Sequence, residues 1–215
     1  MQKQQFNDSK SFKLKRYVSM IQTYIQLIVL FLVIFDPLAS LSVFVSSTNK
    51  KSKHEQHRIA IISVIVAGLI SLVVLLLGTT LLDLFSTTID DFKIAGGIIL
   101  ILLGINMVLG KSIVEESVMK ESSAPAIAAI IGSPILAGPA SITTIIISVH
   151  EYGQLDTGIA IIVVLIITGL IFWFGADIHS RLGDTFEKVM SAVLGLVTIS
   201  WGVKFIREVI SKLFL

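Results

Sequence analysis

The chain has 215 residues and no cysteine. That absence excludes a disulfide framework, thiol catalysis and a Cys-ligated metal, and it leaves the redox compartment open. Charge is scarce as well: Asp, Glu, Lys and Arg make up 15% of the chain, against about 25% in soluble domains. With 54% hydrophobic residues and a mean hydropathy of +0.90, the composition is that of an integral membrane protein. No G-x-x-x-x-G-K-[ST] loop is present, so ATP is not expected as an energy source. A net charge of +2 gives no reason to expect nucleic acid. Aromatic anchors are few, with Trp173 and Trp201 helped by Tyr17, Tyr24 and Tyr152. Proline is rare too, yet Pro37 and Pro139 both fall inside long apolar runs.

Six apolar runs are long enough to matter: 23–46, 59–82, 94–110, 124–150, 157–176 and 189–203. The last is short for a span, but Lys204 and Arg207 extend it by snorkelling. Residues 1–19 are read as a polar, basic tail, 20–110 as a first three-helix unit, 111–123 as a hydrophilic connector and 124–215 as a second unit. The connector carries Glu115, Glu116 and Glu121 against Lys111 and Lys120. Residues 47–58, with His54 and His57 among basic neighbours, read as a solvated loop. Residues 83–93 and 177–188 read as further polar connections. Asp90 and Asp91 suit the positive end of the helix that follows.

The first run is broken near its centre by Asp36-Pro37. A carboxylate there costs roughly 2.5–3.5 kcal/mol on insertion scales, and proline frees a carbonyl one turn earlier. The fourth run repeats the arrangement at Gly138-Pro139. Ala39-Ser40-Leu41-Ser42 matches Ala140-Ser141-Ile142-Thr143, and the segment from Gly97 to Gly104 matches that from Gly195 to Gly202. Three spans per half is an odd number, so a duplicated second half enters the membrane from the opposite face. The expected fold is therefore all-α, with six transmembrane helices as two inverted three-helix repeats. Helices 1 and 4 are broken near the midplane, where such proteins place their binding site. Lys plus Arg number nine on the side of the termini and eight opposite. Leaving out residues 1–19 makes this four against eight, which places the 47–58 loop inside.

These residues resemble the MarC family, grouped with LysE-like amino-acid exporters. The family's Asn/Asp-Pro-x-Gly followed by Phe reads here Asp36-Pro37-Leu38-Ala39 with Phe44. A basic residue before Ile-Ala-Gly-Gly reads Lys93-Ile94-Ala95-Gly96-Gly97, closing with Asn106-Met107 and Gly110. The pattern Pro-x-x-Ala-Gly-Pro-Gly-Ala-Ile-Thr reads Pro134 to Thr143, and the similarity covers roughly 20–210. It implies six spans and a multi-pass protein of the bacterial or archaeal cell (inner, cytoplasmic) membrane. It also implies, from members described as such, a carrier of small neutral amino acids such as glycine and alanine. Ala39 and Ala140 stand where the family has glycine, each adding a methyl beside a break.

The expected substrate site is Asp36, Pro37, Ala39, Ser40, Ser42, Asn106, Gly138, Pro139, Ala140, Ser141 and Thr143, with Thr144 close by. Asp36 is the candidate ion-coupling residue, for H⁺ or Na⁺, and otherwise an N-cap followed by proline at N1. The hydroxyls either bind substrate or bond back to their own helices. The freed carbonyls suit an ammonium or a cation. Gly96, Gly97, Gly104, Gly195 and Gly202 are read as packing positions. No cofactor or metal is expected. The partners are the bilayer and a small amino acid, with a homo-oligomer left open. The alternatives are a non-transporting assembly or stress-response protein and an intramembrane enzyme. An enzyme would need a nucleophile–base pair at depth, and Asp36 is the acid expected there, so none is assigned.

Overall fold

The computed structural model describes residues 2–84, 86–110 and 123–214. All regular structure among them is helical: α1 (Gln2–Phe35), α2 (Pro37–Thr48), α3 (Lys53–Leu84), α4 (Ile89–Val108) and α5 (Ala124–Ile130), with a continuation Ile131–Leu136 that is kinked at the extended Ser133 (φ −153, ψ 122). Then come α6 (Pro139–Tyr152), α7 (Gln154–Trp173) and α8 (Gly175–Leu213). Among the described residues five stretches are long and apolar enough to cross a membrane, Met20–Thr48 of α1 and α2 counting as one, or six if the pair bent by 53° between Leu136 and Pro139 counts as one span. This is an all-α, multi-spanning membrane fold.

Hydrophobicity faces outward as well as inward. Ile61, Ile65, Leu69, Leu72 and Leu76 of α3 are exposed, the surface a lipid-facing helix presents where lipid replaces water as solvent. The interior gathers around α6, whose Ile145, Ile146, Ile147 and Val149 are buried. Tyr24 Oη donates to Asp156 Oδ1 at 2.6 Å, tying α1 to α7. Helix α4 starts on a capping box, with Thr88 accepting from Asp91 N at 3.1 Å and Thr88 N donating to Asp91 Oδ2 at 3.1 Å.

Helices α4 and α8 approach each other closely along a seam of glycines. A Cβ added at Gly97 would stand 2.7 Å from the carbonyl oxygen of Gly202, and one at Gly104 would stand 2.5 Å from that of Gly195. From the other helix the reciprocal distances are 2.5 Å at Gly202 and 2.8 Å at Gly195. Four glycines thus let two antiparallel backbones touch. Gly96 points elsewhere, and its added Cβ would collide with the Thr143 side chain of α6 at 2.1 Å.

Several expectations are corrected. Residues 2–19, read as a tail, are helical and run into α1 ahead of the candidate span Met20–Thr48. The 177–188 stretch is not a loop: it lies within α8, which bends at Gly183 (φ 71, ψ 159). The last candidate span is accordingly Thr185–Lys212, 28 residues, rather than the short 189–203. Lys93 is not in a connection but inside α4 and buried. His57 is not freely solvated; its ring stacks on Trp173 at 3.8 Å. The hydrophilic connector, Ser123 apart, falls outside the described residues.

Candidate functional site

Asp36 sits between α1 and α2 in the left-handed region (φ 39, ψ 67), which Asp tolerates better than most residues. Its Oδ1 accepts from Ala39 N at 3.2 Å, so it caps α2, and Pro37 fills the first helical position where no N–H is needed. Its Oδ2 accepts from Ser191 Oγ of α8 at 3.2 Å. The second break differs. Gly138 precedes α6 in an extended conformation (φ −87, ψ −174) and supplies no side-chain cap. The first turn of α6 therefore leaves the N–H groups of Ala140 and Ser141 without an intrahelical acceptor.

Both breaks open onto one cavity of about 400 Å³, within the ~300–1,000 Å³ usual for small-molecule sites. Of the expected residues, Asp36, Ala39, Ser40, Ser42, Asn106, Gly138, Pro139, Ala140 and Ser141 line it. Pro37 and Thr143 do not. Pro37 is consumed in starting α2, while Thr143 bonds back to Pro139 O at 2.8 Å and packs on Gly96. Thr144 is fully buried and likewise outside the lining.

The last carbonyl before each break is occupied. Ser40 Oγ donates to Phe35 O at 3.3 Å, and Ser141 Oγ donates to Leu136 O at 2.6 Å. Each bond spans five residues and closes its break in the same way. A hydroxyl has one proton and two lone pairs, so these serines now offer the cavity acceptors only. Ser42 and Ser191 have also spent their protons, on Glu187 and Asp36. The wall is therefore rich in acceptors. Its donors are the Asn106 amide, the Lys188 ammonium and the start of α6.

Glu187 is the residue that sequence reasoning missed, and Asp36 is not the single buried acid. Glu187 is 2% exposed, accepts from Ser42 Oγ and lies 3.0 Å from His179 Nδ1. Ser191, four residues on, shares its helix face. That i, i+4 spacing was the available signal. Among the described residues, no three His, Asp or Glu side chains gather as a metal-binding group.

Fold and cavity together define a polytopic membrane protein of transporter-like build, consistent with the inner membrane. Residues 21–214 match the family described as MarC family integral membrane protein, and the chain belongs to that family. A UPF0056 membrane protein of Buchnera aphidicola subsp. Schizaphis graminum is 27% identical over 196 residues, covering 89% of this chain and 93% of its own. One of Methanocaldococcus jannaschii is 30% identical, covering 80% and 88%. The UPF0056 membrane protein YhcE of Escherichia coli is 26% identical, covering 91% and 98%. No solved structure matches the chain.

Proposed function

We propose that the chain is a secondary carrier of small neutral amino acids, of the glycine, alanine and serine class, working by alternating access. The observation that carries this reading is the cavity shared by two unlike helix starts. At one start a carboxylate already occupies the positive end; at the other the end is uncapped. A zwitterion fits that asymmetry, with its carboxylate on the N–H groups of Ala140 and Ser141. Its ammonium would lie among Asp36, Glu187 and the serine oxygens, which accept hydrogen bonds. The methyls of Ala39 and Ala140 narrow the space beside both breaks, favouring small side chains. H⁺ or Na⁺ is the coupling ion of this reading.

Alternating access asks for two units that rock about the site, and an inverted repeat supplies them. The glycine contacts support it. A shift of 98 residues turns Gly97 into Gly195 and Gly104 into Gly202, so the contact of Gly97 with Gly202 becomes that of Gly195 with Gly104. A two-fold axis between antiparallel helices requires that exchange. The serine bonds to Phe35 and Leu136 repeat at a shift of 101.

The test is uptake of labelled glycine, alanine and serine into proteoliposomes under imposed H⁺ or Na⁺ gradients. Saturable uptake of at least one of them is expected. No flux of any of the three, with or without a gradient, would sink the reading.

A further inference from the structure

The 177–191 region holds a contact that a straight helix forbids. Residues eight apart on a helix are separated by about 12 Å along its axis. His179 and Glu187 are eight apart, yet Nδ1 and Oε1 meet at 3.0 Å. The bend at Gly183 brings them together, and its φ of 71 is one that glycine adopts without strain. The consequence is a two-residue chain leading inward. His179 has 28% of its side chain exposed, whereas Glu187 has 2% and lines the cavity. Beyond Glu187 stands Ser42, at the first break.

The two cavity carboxylates are held in different ways. Asp36 takes a backbone N–H on one oxygen and the Ser191 hydroxyl on the other. It stands at the start of α2 in a left-handed conformation. A proton there would weaken the cap on which the break depends. The hydrogen-bonding partners of Glu187 are side chains alone, a hydroxyl that rotates and an imidazole that changes tautomer. Its proton can come and go without disturbing the backbone.

We propose that Glu187 is the proton-exchanging group of the cavity and that His179 is its link to the aqueous face, leaving Asp36 to hold α2. The proposal rests on the carrier reading and names its coupling ion. In the step itself, the imidazolium proton leaves Nδ1 and bonds to Oε1. A neutral imidazole and a neutral carboxylic acid result, and the imidazole regains a proton from water. Neutral Glu187 removes one negative charge from the wall that faces a substrate ammonium. Proton and amino acid therefore compete, and transport is exchange of one for the other. Among the described residues, the charged and titratable groups around Glu187 are His179 and Lys188 on α8 and Asp36 at the start of α2. The residues that α4, α5 with its continuation, and α6 contribute to the lining include no titratable side chain.

The experiment uses the full chain in proteoliposomes with a trapped pH dye. It measures labelled-alanine exchange alongside alanine-driven proton movement in wild type, Glu187→Gln, His179→Gln and Asp36→Asn. The ratio of protons to alanine is expected to fall at least tenfold in Glu187→Gln, whose remaining exchange no longer responds to pH between 5 and 8. In His179→Gln, proton movement slows at least tenfold relative to exchange, which reads the path even where Glu187→Gln yields no active protein. Asp36→Asn keeps a wild-type proton ratio in whatever exchange it retains. An unaltered ratio in both Glu187→Gln and His179→Gln would overturn the proposal while the carrier reading stood. A wild type with no alanine exchange would overturn both.

Discussion

The two ends of the α4–α8 pair are built from the same helices across the same glycines, yet they are opposites. At one end Asn106, Gly110 and Lys188 are exposed around the cavity, and Glu187 and Ser191 face into it. At the other, Lys93 is 6% exposed and pairs with both Glu151 of α6 and Glu208 of α8, the latter at 2.8 Å. Lys204 reaches Glu208 at 3.6 Å, and Lys212 reaches Asp90 at 2.8 Å. One end uses its charges to line a hollow; the other pairs them with one another. A buried lysine offsets its desolvation only while its carboxylates stay in place. Under the alternating access proposed above, opening of the opposite face would part this ion cluster.

The largest expected effect comes from breaking the closed end on one side. Lys93→Met takes the shared cation from Glu151 and Glu208 and leaves Glu208 with only the more distant Lys204. Removing one partner of a buried pair costs about 3–5 kcal/mol, and the partial exposure of both glutamates puts this case at the low end. Thermal unfolding in detergent should show the loss. Adding Glu151→Gln and Glu208→Gln to Lys93→Met should restore most of it, and equal stability of the single and triple variants would contradict the cluster's role.

Next comes the glycine seam between the ends. Gly104→Val sets a branched side chain against the Gly195 carbonyl, where even a Cβ would stand at 2.5 Å. Overpacking of this kind costs about 1–3 kcal/mol, seen as a lowered Tm. A mild effect would mean that the helices part easily. The smallest of the three lies at the open end. Ser191→Ala deletes one hydrogen bond to a carboxylate, worth about 1.5–3 kcal/mol where buried. Ser191 sits beside a cavity that water can enter, so about 1 kcal/mol is expected.

How far all this was readable differs between the same two ends. The breaks were legible because proline and glycine dictate backbone geometry locally, and Asp before Pro states a cap outright. The glycines at 97, 104, 195 and 202 were legible because close approach demands small residues at helical spacing. The polar half of α8 was not. Its charges resemble those of a loop, and only the tertiary fold shows that the bend at Gly183 turns Glu187 inward. Lys93 was misplaced for the same reason, since its two acidic partners lie 58 and 115 residues away. Thr143 failed differently: it shares a repeat position with Ser42, but Gly96 receives its methyl where Glu187 receives the Ser42 hydroxyl.

The carrier reading stands or falls on whether a small amino acid sits in the cavity between the two breaks. The chain has no cysteine, so Leu103→Cys places a single thiol in the cavity wall, away from the polar groups assigned to substrate. Its rate of modification by a small thiol reagent should fall at least tenfold with saturating alanine and remain unaffected by a matched concentration of a bulky amino acid. An identical rate with and without alanine, glycine or serine would contradict the claim.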